Sequence, residues 1–246
     1  MNILVGISKT PDTTAKIAFT DNNTRLDTNG VQFIMNPYDE WYSLVRALEL
    51  KESLGGKVTL VAVGDAEYDQ IIRKGLAIGA DDAIRVDTEA TESWVVAREI
   101  AHQVRQGQYD LVFLGKESID HNGSEVGAMV SALLDWPLIS YASKLEMDGQ
   151  TARINREIEG GVEMVEVDVP FVLSAAKGLA EQRIPNMRGI MMAKSKPLQV
   201  VPPVGGDSRV RVAAYTLPRE KSAVHLVDPE NMQELVRLLK EEAKVI

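Results

Sequence analysis

The run Leu111-Val112-Phe113-Leu114, its closing Gly115, and the amphipathic segment beyond it constrain this chain more than any other stretch. Four consecutive apolar residues after Asp110 are too short for a buried helix and read as a strand covered on both faces. A polar loop follows. Val126, Met129, Val130 and Leu133 then fall at i, i+3, i+4 and i+7, the spacing of an amphipathic helix that must stop before Pro137. Between them Asn122-Gly123 tolerate positive φ, and Ser124 is a good N-cap. Such a loop offers free backbone N–H groups and the positive end of a helix dipole, which suit a phosphate. An ordinary βα turn uses the same residues and is commoner, and the loop alone favours that reading.

The same strand–helix alternation recurs upstream. Ile3 to Ile7 reads as a central parallel strand and Lys9 to Asn29 as a polar excursion. A strand at Ile17 to Phe19 is expected there, able to pair with Val31 to Met35. Asn36 as N-cap and Pro37 as first residue open a helix whose buried stripe is Trp41, Leu44, Val45 and Leu48, with Gly55-Gly56 at its end. Strands at Lys57 to Val63 and Asp82 to Val86 alternate with helices at Tyr68 to Ile78 and around Val96 to Val104. The fold class is therefore α/β, a doubly wound parallel sheet of the nucleotide-binding type. Ligands of such sheets bind beyond the carboxyl ends of the strands, where the strand order reverses. Gly6-Ile7-Ser8, Val63-Gly64-Asp65 and the 115–124 loop all lie at such ends.

After Pro137 the hydrophobic period becomes two, with Asp148-Gly149 and Gly160-Gly161 as two-residue turns. An antiparallel hairpin addition is expected, with Val172 to Ala175 returning to the sheet. Gly178 to Gly189 reads as a long loop tipped by Arg183, Ile184, Pro185 and Asn186. Pro197 to Gly206 reads as a linker, which divides the chain into an α/β domain at 1–197 and a C-terminal arm at 198–246. On that arm Met232, Leu235, Val236 and Leu239 form a seam that must dock, here or on a partner.

Composition narrows the function. The balance of 27 basic against 36 acidic residues gives a net charge of −9, which argues against nucleic-acid partners and anionic membranes. The absence of cysteine excludes disulfides, thiolate metal sites and cysteine nucleophiles. The chain enters a strand directly, without a basic leader or long apolar span, so a cytoplasmic protein with no membrane insertion is expected. His102, His121 and His225 share no metal-ligand spacing, and neither a P-loop, a Gly-x-Ser-x-Gly elbow nor a Gly-x-Gly-x-x-Gly fingerprint occurs. Catalysis is not evident, and mononucleotide binding is the most that the pattern supports by itself. Asn36-Pro37-Tyr38-Asp39 is sufficiently explained as a helix opener, the commoner use of such residues; its second reading is a crevice wall whose Tyr38 ring lines a flavin or adenine.

The sequence resembles the β subunit of electron transfer flavoprotein. The resemblance rests on Asn36 to Glu40, Gly75 to Asp81, Leu114 to Asp120 and Asp135-Trp136-Pro137. Its most specific part is Ile154-Asn155-Arg156-Glu157-Ile158-Glu159-Gly160-Gly161-Val162-Glu163-Met164-Val165, followed by Pro170 and Val172-Leu173-Ser174. It implies a heterodimer with an α subunit that holds most of one FAD. It further implies reduction by flavin dehydrogenases such as acyl-CoA dehydrogenase, with electrons passing to a quinone oxidoreductase or another acceptor. A structural AMP is implied in the β subunit. Carried over by position, the AMP site comprises Gly6, Asn36, Pro37, Tyr38, Asp39, Val63, Asp120, His121, Asn122, Gly123, Ser124, Glu125, Val126, Gly127, Ala128, Met129, Val130 and Ser131. Tyr38 and Thr13 would face the flavin, Thr13 standing where some members carry tyrosine. Arg183 to Asn186 matches a recognition loop whose aliphatic side chain, here Ile184, anchors in the dehydrogenase.

Bifurcating members place a second FAD where others hold AMP, and their phosphate loop reads Asp-Gly-Asp-Thr. Asp120-His121-Asn122-Gly123-Ser124 lacks that Asp-Thr pair, which favours AMP, while Asp87-Thr88-Glu89-Ala90-Thr91 faintly resembles a second bifurcating element. A stand-alone adenine-nucleotide regulator of the universal-stress type shares the fold but leaves residues 178–246 without a role. An adenylating enzyme is disfavoured, because no Ser-Gly-Gly-x-Asp-Ser loop follows the first strand.

Overall fold

The structure, a computed structural model, describes residues 1–89, 92–219 and 223–246. Ala90 and Thr91, at the end of the 87–91 element, lie outside the described residues. In chain order the first half comprises β1 (Asn2–Gly6), β2 (Lys9–Pro11), β3 (Phe19–Thr20), β4 (Arg25–Leu26), β5 (Phe33–Met35), α1 (Asp39–Leu54), β6 (Lys57–Val63), α2 (Tyr68–Ile78), β7 (Asp82–Val86), α3 (Ser93–Gln106), β8 (Leu111–Gly115) and α4 (Val126–Leu134). The second half adds β9 (Leu138–Asp148), β10 (Thr151–Ile158), β11 (Gly161–Asp168), β12 (Phe171–Ala175), α5 (Met187–Ala193), β13 (Leu198–Val201), α6 (Met232–Arg237) and a π turn over Leu238–Glu242.

Among the described residues nine strands share one sheet in the order β11-β10-β9-β12-β8-β1-β6-β7-β13. From β9 to β13 neighbours run parallel, and β10 and β11 add the antiparallel hairpin. The chain builds outward from β1 through β6 and β7. It then returns to the other side of β1 as β8, so the strand order reverses between β1 and β8. Successive side chains of β1 point to opposite faces, and both faces are covered. Ile3 and Val5 pack with Leu44, Leu48, Ile72 and Leu76 of α1 and α2. Leu4 packs with Ala97, Ile100, Val104 and Val130 of α3 and α4. This two-sided burial is why β1, β6 and β8 read as unbroken apolar runs.

Several local expectations are corrected. Asn36 does not cap α1 and Pro37 is not its first residue; the helix starts at Asp39 after Tyr38, whose backbone sits at φ 64, and the Asn36 side chain bonds elsewhere. Ser124 does not cap α4 either: at φ 52 its hydroxyl turns to Glu117, and Glu125 precedes the helix without a side-chain cap. Phe33–Met35 pairs with β2, not with the 17–19 segment, because β3 folds on β4 as its own small hairpin. The two meander turns lie one residue from the expected positions, at Gly149-Gln150 and Glu159-Gly160, where Gly149 and Gly160 take the positive φ that the turns require.

The 178–189 loop ends early, since Asn186 accepts a hydrogen bond from the Gly189 N–H and caps α5. The stretch read as a linker opens on β13, which adds to the sheet edge beside β7; alternating apolar residues between prolines and glycines carry too weak a signal to reveal an edge strand. Beyond it the arm lies along α3. The Glu99 carboxylate accepts the Val204 N–H at 2.9 Å, and Glu92 accepts the Arg209 and Val210 N–H groups, each at 2.7 Å. Tyr215 then stacks on Phe19. The terminal helix starts at Met232 under an Asn231 cap, and Leu239 falls in the π turn, so the expected seam is not one continuous α-helical stripe. No described helix is long and apolar enough to cross a bilayer.

Candidate functional site

The strand order reverses between β1 and β8, the place where doubly wound sheets form a crevice at the carboxyl ends of their strands, and three chain segments meet there. The first is the end of β1 through Ser8, the second is Asn36 to Glu40 before and inside α1, and the third is the loop from Gly115 to Glu125. Asn36 is fully buried and joins all three. Its backbone N–H donates to the Ser8 carbonyl at 3.0 Å. Its side-chain amide donates to the Glu117 carbonyl at 2.9 Å, and its Oδ1 accepts the Ile119 N–H at 3.0 Å. A buried amide with each partner satisfied fixes the loop in one register.

Glu40 makes the second cross-link, one that sequence reading missed. In sequence it looks like an ordinary first-turn acid complementing the helix dipole. In the fold it is buried, and its two carboxyl oxygens accept the Ser8 N–H at 2.7 Å and the Ser8 hydroxyl at 2.6 Å. Burial pushes its pKa up to about 8 against the lowering effect of the Ser8 and Asn36 hydrogen bonds, with the charge of Asp120 raising it further. Gly115 makes room for it: a Cβ there would sit 2.8 Å from Glu40 Cγ. Burial likewise raises Asp39, with the nearby Lys116 ammonium opposing the shift.

The loop that would hold a phosphate is mostly exposed, and its cations are few. Lys116 is paired with Glu117 at 3.1 Å, and His121 lies 3.8 Å from Asp120. Any anion would therefore be held by backbone. The donor set fits: α4 has no side-chain cap, its first intrahelical bond runs from Met129 N–H to Glu125 C=O, and the N–H groups of Val126, Gly127 and Ala128 precede it.

The structure distributes the expected site residues unevenly. Gly6 and Val63 end β1 and β6, Asn36 to Asp39 lead into α1, Asp120 to Ala128 run from the loop after β8 into α4, and Met129 packs against the core beneath that helix. Val130 instead lies in the core under α4, and the Ser131 hydroxyl donates to the Trp136 carbonyl at the far end of that helix. Tyr38 stands 60 % exposed at the mouth. Thr13 does not join it: Lys9 pairs with Met35 and Pro11 with Phe33, so the chain leaves for Thr13 at one end of that ladder and for Tyr38 at the other. A separate polar pocket of about 360 Å³, bordered by Lys57, Thr59, Asp82 and Tyr109, lies at the amino ends of β6 and β7, away from the crevice.

A second surface sits on the α1–α2 face. Arg183 pairs with both oxygens of Glu52 at 2.6 and 3.1 Å, and its carbonyl accepts the Trp41 indole N–H at 3.1 Å. With the loop base held this way, Ile184 projects 81 % exposed, and Met187 and Met191 of α5 are exposed beside it. Pro185 is half-buried.

A mostly parallel sheet whose strand order reverses between β1 and β8 defines a doubly wound α/β protein. Comparison with known sequences places it more closely. The family model described as "Electron transfer flavoprotein domain" matches residues 24–204. The electron transfer flavoprotein subunit beta of Bacillus subtilis is 34% identical over 260 residues, covering 100% of both chains. That of Bradyrhizobium diazoefficiens is 35% identical over 100% of both, and that of Homo sapiens 33% identical over 100% of this chain and 99% of its own. The chain belongs to the electron transfer flavoprotein β-subunit family.

Proposed function

We propose that this chain is the β half of a heterodimeric electron carrier. An α subunit would hold most of one FAD, and the crevice between β1 and β8 would bind a structural AMP. The observation that carries the nucleotide reading is the cross-linking of three strand-end segments through Asn36 and Glu40 around a loop with free N–H groups. In this reading the phosphate lies against Asp120 to Ala128 and the helix α4 amino end, and Tyr38 faces the flavin across the subunit boundary. The flavin supplies the redox chemistry; this chain covers it and sets its distance from the docking surface.

Flavin dehydrogenases, with acyl-CoA dehydrogenase as the type, would dock on Ile184, and a quinone oxidoreductase or another acceptor would receive the electrons. One exposed aliphatic anchor on a braced loop gives small buried area, which suits brief encounters. The exposed apolar side chains Met232 and Val236 on the arm would be covered by the α subunit. The loop Asp120 to Ser124 supports AMP over a second FAD. Co-expression with an α subunit tests the reading. A yellow 1:1 complex is expected, whereas a colourless homodimer would overturn it in favour of a stand-alone nucleotide-binding regulator.

A further inference from the structure

We propose that Glu40 is the positioning residue of the crevice, and that occupancy by an anionic phosphate is coupled to a proton held on its carboxyl group. The inference rests on the nucleotide reading above and adds a linkage to it.

Glu40 is the group through which the first turn of α1 grips the end of β1. The Ser8 N–H and hydroxyl both donate to it, the Asn36 amide adds to their effect, and no other side-chain bond ties Ser8 to the α1 helix itself. The close approach of Gly115 brings the third segment against the same side chain. A charged carboxylate so placed is costly without a neighbouring cation. Among the described residues no ammonium or guanidinium lies within salt-bridge distance of Glu40. From the β1 side, Lys9 turns away to Glu67 at 2.6 Å and Asp65 at 3.6 Å. From the β8 loop, Lys116 is taken by Glu117, and Asp120 adds negative charge. On α1 itself the neighbour is Asp39, and from α2 the Tyr68 phenol is pushed up to about 12, by burial first and by the Glu40 charge second.

A phosphate bound beside this set adds negative charge to a carboxylate cluster that has no unpaired cation among the described residues. The least costly response is for the buried carboxyl to hold its proton. With Glu40 at about 8 before binding, the proton is already in place at neutral pH and must be taken up at higher pH. Binding then weakens as pH rises through that value, by up to about tenfold per pH unit for one coupled proton.

The test uses the full chain with its α partner, depleted of nucleotide, titrated with AMP between pH 7 and 9.5. AMP affinity is expected to be flat up to about pH 8 and to fall above it. Glu40→Gln keeps an oxygen acceptor for Ser8 and cannot titrate, so its affinity should stay flat across the range. Ser8→Ala removes only a donor that favours the charged form, so its break should move to higher pH. A Glu40→Gln protein that follows the wild-type pH profile, or a Ser8→Ala protein with an unmoved break, overturns the coupling while leaving AMP binding intact. AMP that fails to bind wild type at any pH overturns the nucleotide reading itself.

Discussion

Asn36 shows how a single side chain can be more constrained than its motif. Reading Asn-Pro as a helix opener assigns its amide to the α1 N–H groups, yet the fold spends it on Glu117 and Ile119, residues 81 and 83 positions away. Asn36→Ala would leave that carbonyl and that N–H unpaired in a buried place, at about 1–3 kcal/mol. Urea unfolding of the variant should show that loss, and AMP affinity should fall with it. Glu40 adds a pH signature. Its ordinary value of 4.5 applies to the unfolded chain, and the folded value is raised to about 8. Below the lower value both states hold the proton; between the two only the folded state does. Stability therefore falls as pH rises across that window, by up to about 1.4 kcal/mol per unit, and levels off above it. Glu40→Gln should lack that decline in unfolding experiments from pH 5 to 9. Neither role is visible in sequence, because each depends on which distant segment the topology brings alongside.

At the scale of elements, the parallel core was legible and the connections were not. Strands and helices with continuous apolar runs or a clear 3.6 period, such as β6, α2 and β7, lie at the positions their residues announce. Errors cluster where a side chain has two possible partners, as with Ser124, or where an edge strand buries one face weakly, as with β13. Gly115 was read only as a strand end, whereas its missing Cβ admits Glu40. Gly115→Ala should cost about 1–3 kcal/mol by overpacking, measured by denaturant midpoint, with the crevice as the place that yields. The recognition loop is testable apart from the crevice. Ile184→Ala should slow electron uptake from the dehydrogenase and leave flavin content unchanged; equal rates would remove the docking role. On the arm, Val236→Asp should lower the yield of heterodimer, because its side chain is half exposed here and would be covered by the partner.

For the whole molecule, the strand order carries the functional meaning. Alternating β and α segments imply a doubly wound sheet, and the sequence places Gly6, Val63 and the 115–124 loop at three strand ends. The order β8-β1-β6 places two of them on either side of the reversal, and the Asn36 and Glu40 bonds close α1 over them. In the proposed function the chain would hold a nucleotide of its own and cover a flavin carried elsewhere. Denaturing the purified heterodimer and identifying every released nucleotide tests this directly. One FAD and one AMP per complex is the predicted result; two FAD, or FAD with no adenylate, would contradict it.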